Sequence, residues 1–247
     1  EKGFLEEPVP LEDLHLRLPQ EDQEVDDRLI NKVTQSFYEV NLRMREIYFD
    51  FVKYIAHEEL KFDVIFQETL TIRFHFPGNH TKDYLFPNGL YIGHHSDTML
   101  GHPFEEINFW LPLTECRASS ALRVGSREKG IAAISRLCED FNYDAEVYVK
   151  EGRKRFHDKI LAEEDYRALV VDNCDPVNMS YGELLMFDSR CLHGPSLNVE
   201  NQTRVSMDFR FIPVKLYDAM PYEYISGKSG RKFTRGSIYY KKSAYEL

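Results

Sequence analysis

From Asp26 onward the apolar residues Leu29, Val33, Phe37, Val40, Met44, Ile47, Phe51 and Ile55 recur at steps of three and four, the period of an amphipathic helix. The spacing predicts one long helix, or two joined by a kink, over 26–57. Its apolar stripe should pack on a sheet, although it could also support a homodimer. The preceding stretch, 1–24, is rich in Glu, Asp and Pro and is expected to be loosely ordered. Beyond the helix the period changes to two. In Thr71–Phe76 the apolar Ile72, Phe74 and Phe76 alternate with Thr71, Arg73 and His75, as a half-buried strand requires. Similar runs occur at Leu90–His95, Glu105–Leu113, Leu184–Phe187 and Thr203–Phe211.

The segment 128–172 instead places Ile131, Ile134, Leu137, Cys138 and Phe141 on one helical face, and reads as an insertion between strands. Strands over 63–127 and 177–214 then form a barrel or sandwich. Loops rather than regular βαβ crossovers separate them, so the expected class is mainly β, antiparallel, with flanking helices. At 247 residues the chain suits one domain, 1–247.

The formal charge of −10 excludes a general phosphate-backbone binder. No apolar run approaches the roughly 20 residues a membrane span needs. The first residues, EKGFLEEPVP, lack the layout of a signal peptide. Cys116, Cys138, Cys174 and Cys191 are far apart and form no CxxC pair, which argues against a structural zinc site or a disulfide framework. A cytoplasmic protein acting on a small molecule, without nucleic acid or membrane partners, is the expectation. The acidic field suits a cationic substrate, and solubility explains it equally.

In Gly93-His-His-Ser-Asp-Thr98, His95 and Asp97 stand two apart, so on a strand both would face one ion. His193, just past an apolar strand, is the candidate third ligand. Two imidazoles and one carboxylate on one face of an octahedron leave three positions free, the arrangement iron(II) oxygenases use for a cosubstrate and O2. Arg204 and Ser206 follow on one face of the next strand. A guanidinium fork with a hydroxyl beside it suits the distal carboxylate of a dicarboxylic keto acid.

That strand alternates throughout, with Val205, Met207, Phe209 and Phe211 apolar and Arg204, Ser206, Asp208 and Arg210 polar. The polar face is either solvated or turned into a barrel that binds charged ligands, and nearby His193 favours the barrel. Glu106, Asn108 and Trp110 also share a face; Asn108 could donate to the cosubstrate or to substrate, and Trp110 could line the cavity. Arg73 or His75 could contact cosubstrate or substrate. His102 could cover the site mouth or sit exposed in its loop, and Asp144 and Glu146 could attract a cationic substrate. His94 should face away from His95 as a structural residue.

Three blocks carry a family resemblance: His95-Ser-Asp97; Trp110-Leu-Pro-Leu-Thr-Glu-Cys-Arg-Ala-Ser-Ser-Ala-Leu-Arg-Val-Gly-Ser126; and Tyr181-Gly-Glu-Leu-Leu-Met-Phe-Asp-Ser-Arg-Cys-Leu-His193 running on to Arg204-Val-Ser206. Over roughly Thr71–Pro213 the sequence resembles the iron(II)/2-oxoglutarate dioxygenases of the phytanoyl-CoA hydroxylase-like group. It departs from their Pro-Gly-Ser-His corner at Arg127, after Val124-Gly-Ser126. The resemblance implies a double-stranded β-helix (jelly roll) and Fe(II) on His95, Asp97 and His193, with 2-oxoglutarate held by Arg204 and Ser206 and O2 as second cosubstrate. The phrase Asp97-Thr-Met-Leu-Gly-His-Pro-Phe, with Glu106-Ile-Asn-Phe-Trp-Leu-Pro112, is similar to oxygenases of streptomycin-type aminocyclitol antibiotic clusters. Oxidation, as a hydroxylation, of a C–H in a small natural-product intermediate is implied. A cupin-type metalloenzyme without 2-oxoglutarate and a non-catalytic ligand-binding relative are the alternatives.

Overall fold

The computed structural model describes residues 5, 7–25, 30–38, 42–78, 93–100, 102–140, 162–225, 232–234 and 240–241. Leu29, Val40, Phe141, Asp144, Glu146 and the 90–92 part of a predicted strand lie outside them. The strands are β1 (Val64–Gln67), β2 (Thr71–His75), β3 (Ile107–Pro112), β4 (Leu122–Val124), β5 (Asp175–Val177), β6 (Leu185–Asp188), β7 (His193–Gly194), β8 (Arg204–Pro213), β9 (Glu223–Ile225), β10 (Lys232–Thr234) and β11 (Tyr240–Lys241).

β8 organises the larger sheet. Its ten residues accept β2 along the first half and β1 along the second half of one edge, and β3 along the other. β6 continues outward from β3 and β11 from β1, all antiparallel. A smaller sheet runs β5-β4-β7 and is extended past β7 by an isolated antiparallel bridge between His193 and His95. β9 and β10 form a separate pair. Among the described residues these sheets do not close into a barrel, so the expected barrel is observed as a mixed architecture of helices and antiparallel sheets.

The alternation of β8 is resolved by what covers each face. Val205, Met207, Phe209 and Phe211 are buried in the main core with Phe66, Phe109 and the helical residues Tyr48 and Val52. Phe109 and Phe209 stack at 5.1 Å between ring centroids, and Tyr48 donates to the Gln67 carbonyl at 2.7 Å. Each such side chain contributes about 1.5–3 kcal/mol of burial. The opposite face, carrying Arg204 and Ser206, is also buried, against a second apolar cluster of Trp110, Cys116, Leu122 and Met179 that joins the two sheets.

The amphipathic stripe is two helices, Lys32–Tyr38 and Leu42–Tyr54, continued by a π-helical turn at Ile55–Leu60. The 128–172 segment carries helices at Arg127–Asp140 and Glu164–Val170. One expectation is corrected. The acidic lead contains a 3-10 helix at Leu11–Leu16 and a helical turn at Gln20–Gln23, anchored because Leu14 and Leu18 enter the core and Thr203 donates its backbone N–H to Glu12 at 2.8 Å. Two buried leucines outweigh a charged local composition.

Candidate metal centre

His95 and His193 face each other across their bridge, with N···O distances of 2.9 and 2.7 Å. Directly opposed residues project to the same side, and their ring centroids lie 4.6 Å apart. Each ring aims Nδ1 at a carbonyl two residues earlier, His95 at Gly93 (2.6 Å) and His193 at Cys191 (3.0 Å). A carbonyl only accepts, so each Nδ1 carries the proton and each Nε2 presents a lone pair, the orientation that ligating histidines adopt.

Those Nε2 atoms flank Asp97 Oδ1 at 3.6 and 3.7 Å. Asp97 opens a 3-10 turn, Asp97–Leu100, so it reaches the site from a turn and not from the strand position its spacing predicted. It is fully buried. Its Oδ2 accepts from Arg210 Nε at 2.7 Å, while Oδ1 has no hydrogen-bond partner among the described residues. Burial opposes its charge, yet the Arg210 guanidinium holds the carboxyl well below the usual range. Burial, and then His95, press His193 down to about 3, which keeps it neutral. All three ligand atoms lie within 4.8 Å of one another. A buried carboxylate oxygen without a partner is costly, and with two neutral imidazoles it forms a donor set that fits a divalent transition metal.

A cavity of about 250 Å³ adjoins His95 and His193 and reaches Asn108, Trp110 and Arg204. Arg204 stands opposite His75 in the β8–β2 register, with Nη2 2.9 Å from His75 Nδ1 and Nη1 donating to Ser206 Oγ at 2.6 Å. Its Nε is buried without a partner, and neither bond goes to a carboxylate. Burial lowers it only to about 10, so it stays charged. Asn108 is equally exceptional, since neither its Oδ1 nor its Nδ2 has a partner among the described residues, although it is 3% exposed.

Other predicted site residues divide by placement. Trp110 lines the cavity beneath Arg204, whose Cζ is 5.7 Å from the ring centroid. His75 contacts the cavity only beside Arg204. Arg73 is at the rim, 3.9 Å from Asp208. His102 and Arg210 make contacts that the sequence reading did not name. His102 neither covers the mouth nor sits exposed; Glu106 Oε2 takes its Nδ1 at 2.8 Å, and although burial works against its charge, Glu106 raises its pKa. Arg210 borders the cavity, but the carboxylates of Asp97 and Glu106 have claimed its Nε. His94 is buried against Gly194, where an added Cβ would lie 2.7 Å from its Cγ. Sequence reasoning missed Glu106 as the partner of His102 and Arg210, and Gln67, which accepts from Arg210 at 3.0 Å. It also missed Asn31 and Thr34 on the cavity wall. The spacing of four between His102 and Glu106 was the available signal.

No protein-family model matches this sequence, and a search of curated proteins finds no match. Among solved structures, 65% of the chain overlays 30% of EvdMO1 at 15% identity and a TM-score of 0.38. A nickel complex of the non-heme monooxygenase ThoJ overlays 66% of the chain with 50% of its own length, at 13% identity and a TM-score of 0.35. Its apo form gives 66% and 52%, at 12% identity and 0.35. The chain thus spans about a third to a half of these neighbours' lengths, and with overlaps this partial the assignment of the site rests on its side chains.

Proposed function

We propose that this chain is a mononuclear non-heme iron(II) oxygenase that takes 2-oxoglutarate and O2 and oxidises, as a hydroxylation, a C–H bond of a small polar metabolite. An aminocyclitol-like natural-product intermediate is the substrate class its family resemblance favours. The reading includes a double-stranded β-helix, with the larger and smaller sheets as its two walls. One observation carries it: the convergent His95–Asp97–His193 donor set adjoins, through His95 and His193, a cavity lined by a buried Arg204 that meets no carboxylate among the described residues.

In this reading His95 and His193 hold iron through Nε2, and Asp97 through Oδ1. Arg204 and Ser206 take the distal carboxylate of 2-oxoglutarate, which meets two convergent donors and neutralises the buried guanidinium. The unpartnered amide of Asn108 donates to the second carboxylate or to substrate. Trp110, Leu122 and Phe187, on the cavity wall, exclude water. When bound, iron and 2-oxoglutarate together supply the oxidising chemistry, with succinate and CO2 as coproducts.

Anaerobic titration of the Fe(II)-loaded protein with 2-oxoglutarate tests this directly. A weak visible charge-transfer band that saturates, and that requires far more 2-oxoglutarate in Arg204→Ala, is the expected result. Iron that binds without such a band removes 2-oxoglutarate from the reading and leaves a cupin-type metalloenzyme.

A further inference from the structure

The two oxygens of Asp97 meet opposite fates. Oδ1 faces two imidazole Nε2 atoms and has no hydrogen bond among the described residues, whereas Oδ2 is 2.7 Å from Arg210 Nε. Arg210 is itself fixed from three sides, with Nε 3.5 Å from Glu106 Oε1 and Nη1 at 3.0 Å from Gln67 and 3.4 Å from Asp208. Glu106 in turn is held by His102 at 2.8 Å. These contacts join β1, the residue just before β3, β8 and the turn that Asp97 opens, so Arg210 cannot rotate away without breaking several of them.

We propose that Arg210 is a positioning residue that confines Asp97 to one-oxygen ligation and so keeps a coordination position of the metal free. The proposal rests on the metal-centre reading and adds what decides the number of open positions. A carboxylate can ligate through one oxygen or two. Occupying Oδ2 with a charge-assisted hydrogen bond leaves only Oδ1 for the ion. A chelating cosubstrate and O2 together need three adjacent positions, and a bidentate Asp97 would consume one of them.

A role confined to support and a role in setting denticity predict opposite results. Loss of an outer-shell support usually weakens metal binding about 10–100-fold. Loss of a group that withholds an oxygen should leave affinity unchanged or tighter, because the carboxylate gains a second bond and a nearby positive charge disappears. Mn(II) alone is a suitable probe, with affinity read by titration and bound exchangeable waters by water-proton relaxation.

The native protein should hold about three such waters, Arg210→Met about two with no loss of affinity, and Arg210→Lys about three. About three waters in Arg210→Met, or a 10–100-fold loss of affinity without a loss of water, overturns the proposal while leaving the metal centre intact. Native protein that binds neither Mn(II), Co(II) nor Zn(II) overturns both. Should Arg210→Met not fold, as judged by circular dichroism, Arg210→Leu carries the test, with about two waters expected and about three overturning the proposal.

Discussion

Arg204 and His75 stand opposite each other in antiparallel register, and the imidazole Nδ1 takes one guanidinium arm at 2.9 Å while Ser206 takes the other at 2.6 Å. A planar, pre-aimed fork results, with its Nε–H and one N–H on each arm unspent among the described residues. If that fork receives a carboxylate, Arg204→Ala should weaken 2-oxoglutarate binding by roughly 10–100-fold, the equivalent of a charge-assisted hydrogen bond of about 1.5–3 kcal/mol. Arg204→Lys should recover only part of this, because an ammonium lacks the fork. His75→Leu should have a smaller effect, as it alters only the aim. Binding isotherms of the three variants, with metal present, give the order.

Metal should stabilise the fold. A ligand at about 100 times its dissociation constant contributes about 2.7 kcal/mol, which for a chain of this size raises Tm by roughly 5–10 °C. Thermal scans with and without Mn(II), and after chelation, should show this shift in the native protein and its loss in His193→Ala. A His193→Ala protein still stabilised by Mn(II) would place the ion elsewhere.

Asn108 carries one buried amide whose C=O and NH2 both lack a partner among the described residues, a cost of about 1–3 kcal/mol for each. Asn108→Leu is therefore expected to raise the urea midpoint of the ligand-free protein while reducing turnover. A variant less stable than native would mean that the amide is satisfied in solution and is not held ready for a ligand.

Gly194 is positioned by contact rather than by backbone angle. A Cβ there would lie 2.7 Å from His94 Cγ and 2.9 Å from His94 Cα, so Gly194→Ala should push β7 away from the His95 bridge. Metal affinity should fall even though every ligand remains, and a Mn(II) titration reads the loss.

Burial pushes the Cys174 thiol up to about 12, so its thiolate is scarce at any ordinary pH and the thiol should be inert while folded. Alkylation at pH 8, mapped by mass spectrometry, should leave Cys174 unmodified in buffer and label it in urea.

The chemistry of the site was legible because it lies in local patterns. The period-two alternation of 204–211 separates a core face from a polar one, and His193 placed nearby turned the polar face inward. Arg204 and Ser206 are buried there. The His-x-Asp spacing and a second histidine likewise marked the donor set, though Asp97 arrives from a 3-10 turn. A periodic pattern determines which residues share a face. It does not determine which of them touch. Arg210 and Asp97 are 113 residues apart in sequence, and nothing local distinguishes Arg210 as a partner of Asp97 from Arg210 as a group free to meet substrate. Leu14 and Leu18 are buried for a similar reason, since their local composition is charged and only the core they reach makes their burial favourable. Residue type and period therefore determined the candidate donors and the burial of Arg204 and Ser206 on one face. The packing of β1, β3 and β8 decided which charges were already neutralised by neighbours and which, like Arg204, meet no carboxylate among the described residues, because electrostatic pairing in a buried site depends on distances that only the assembled sheets set.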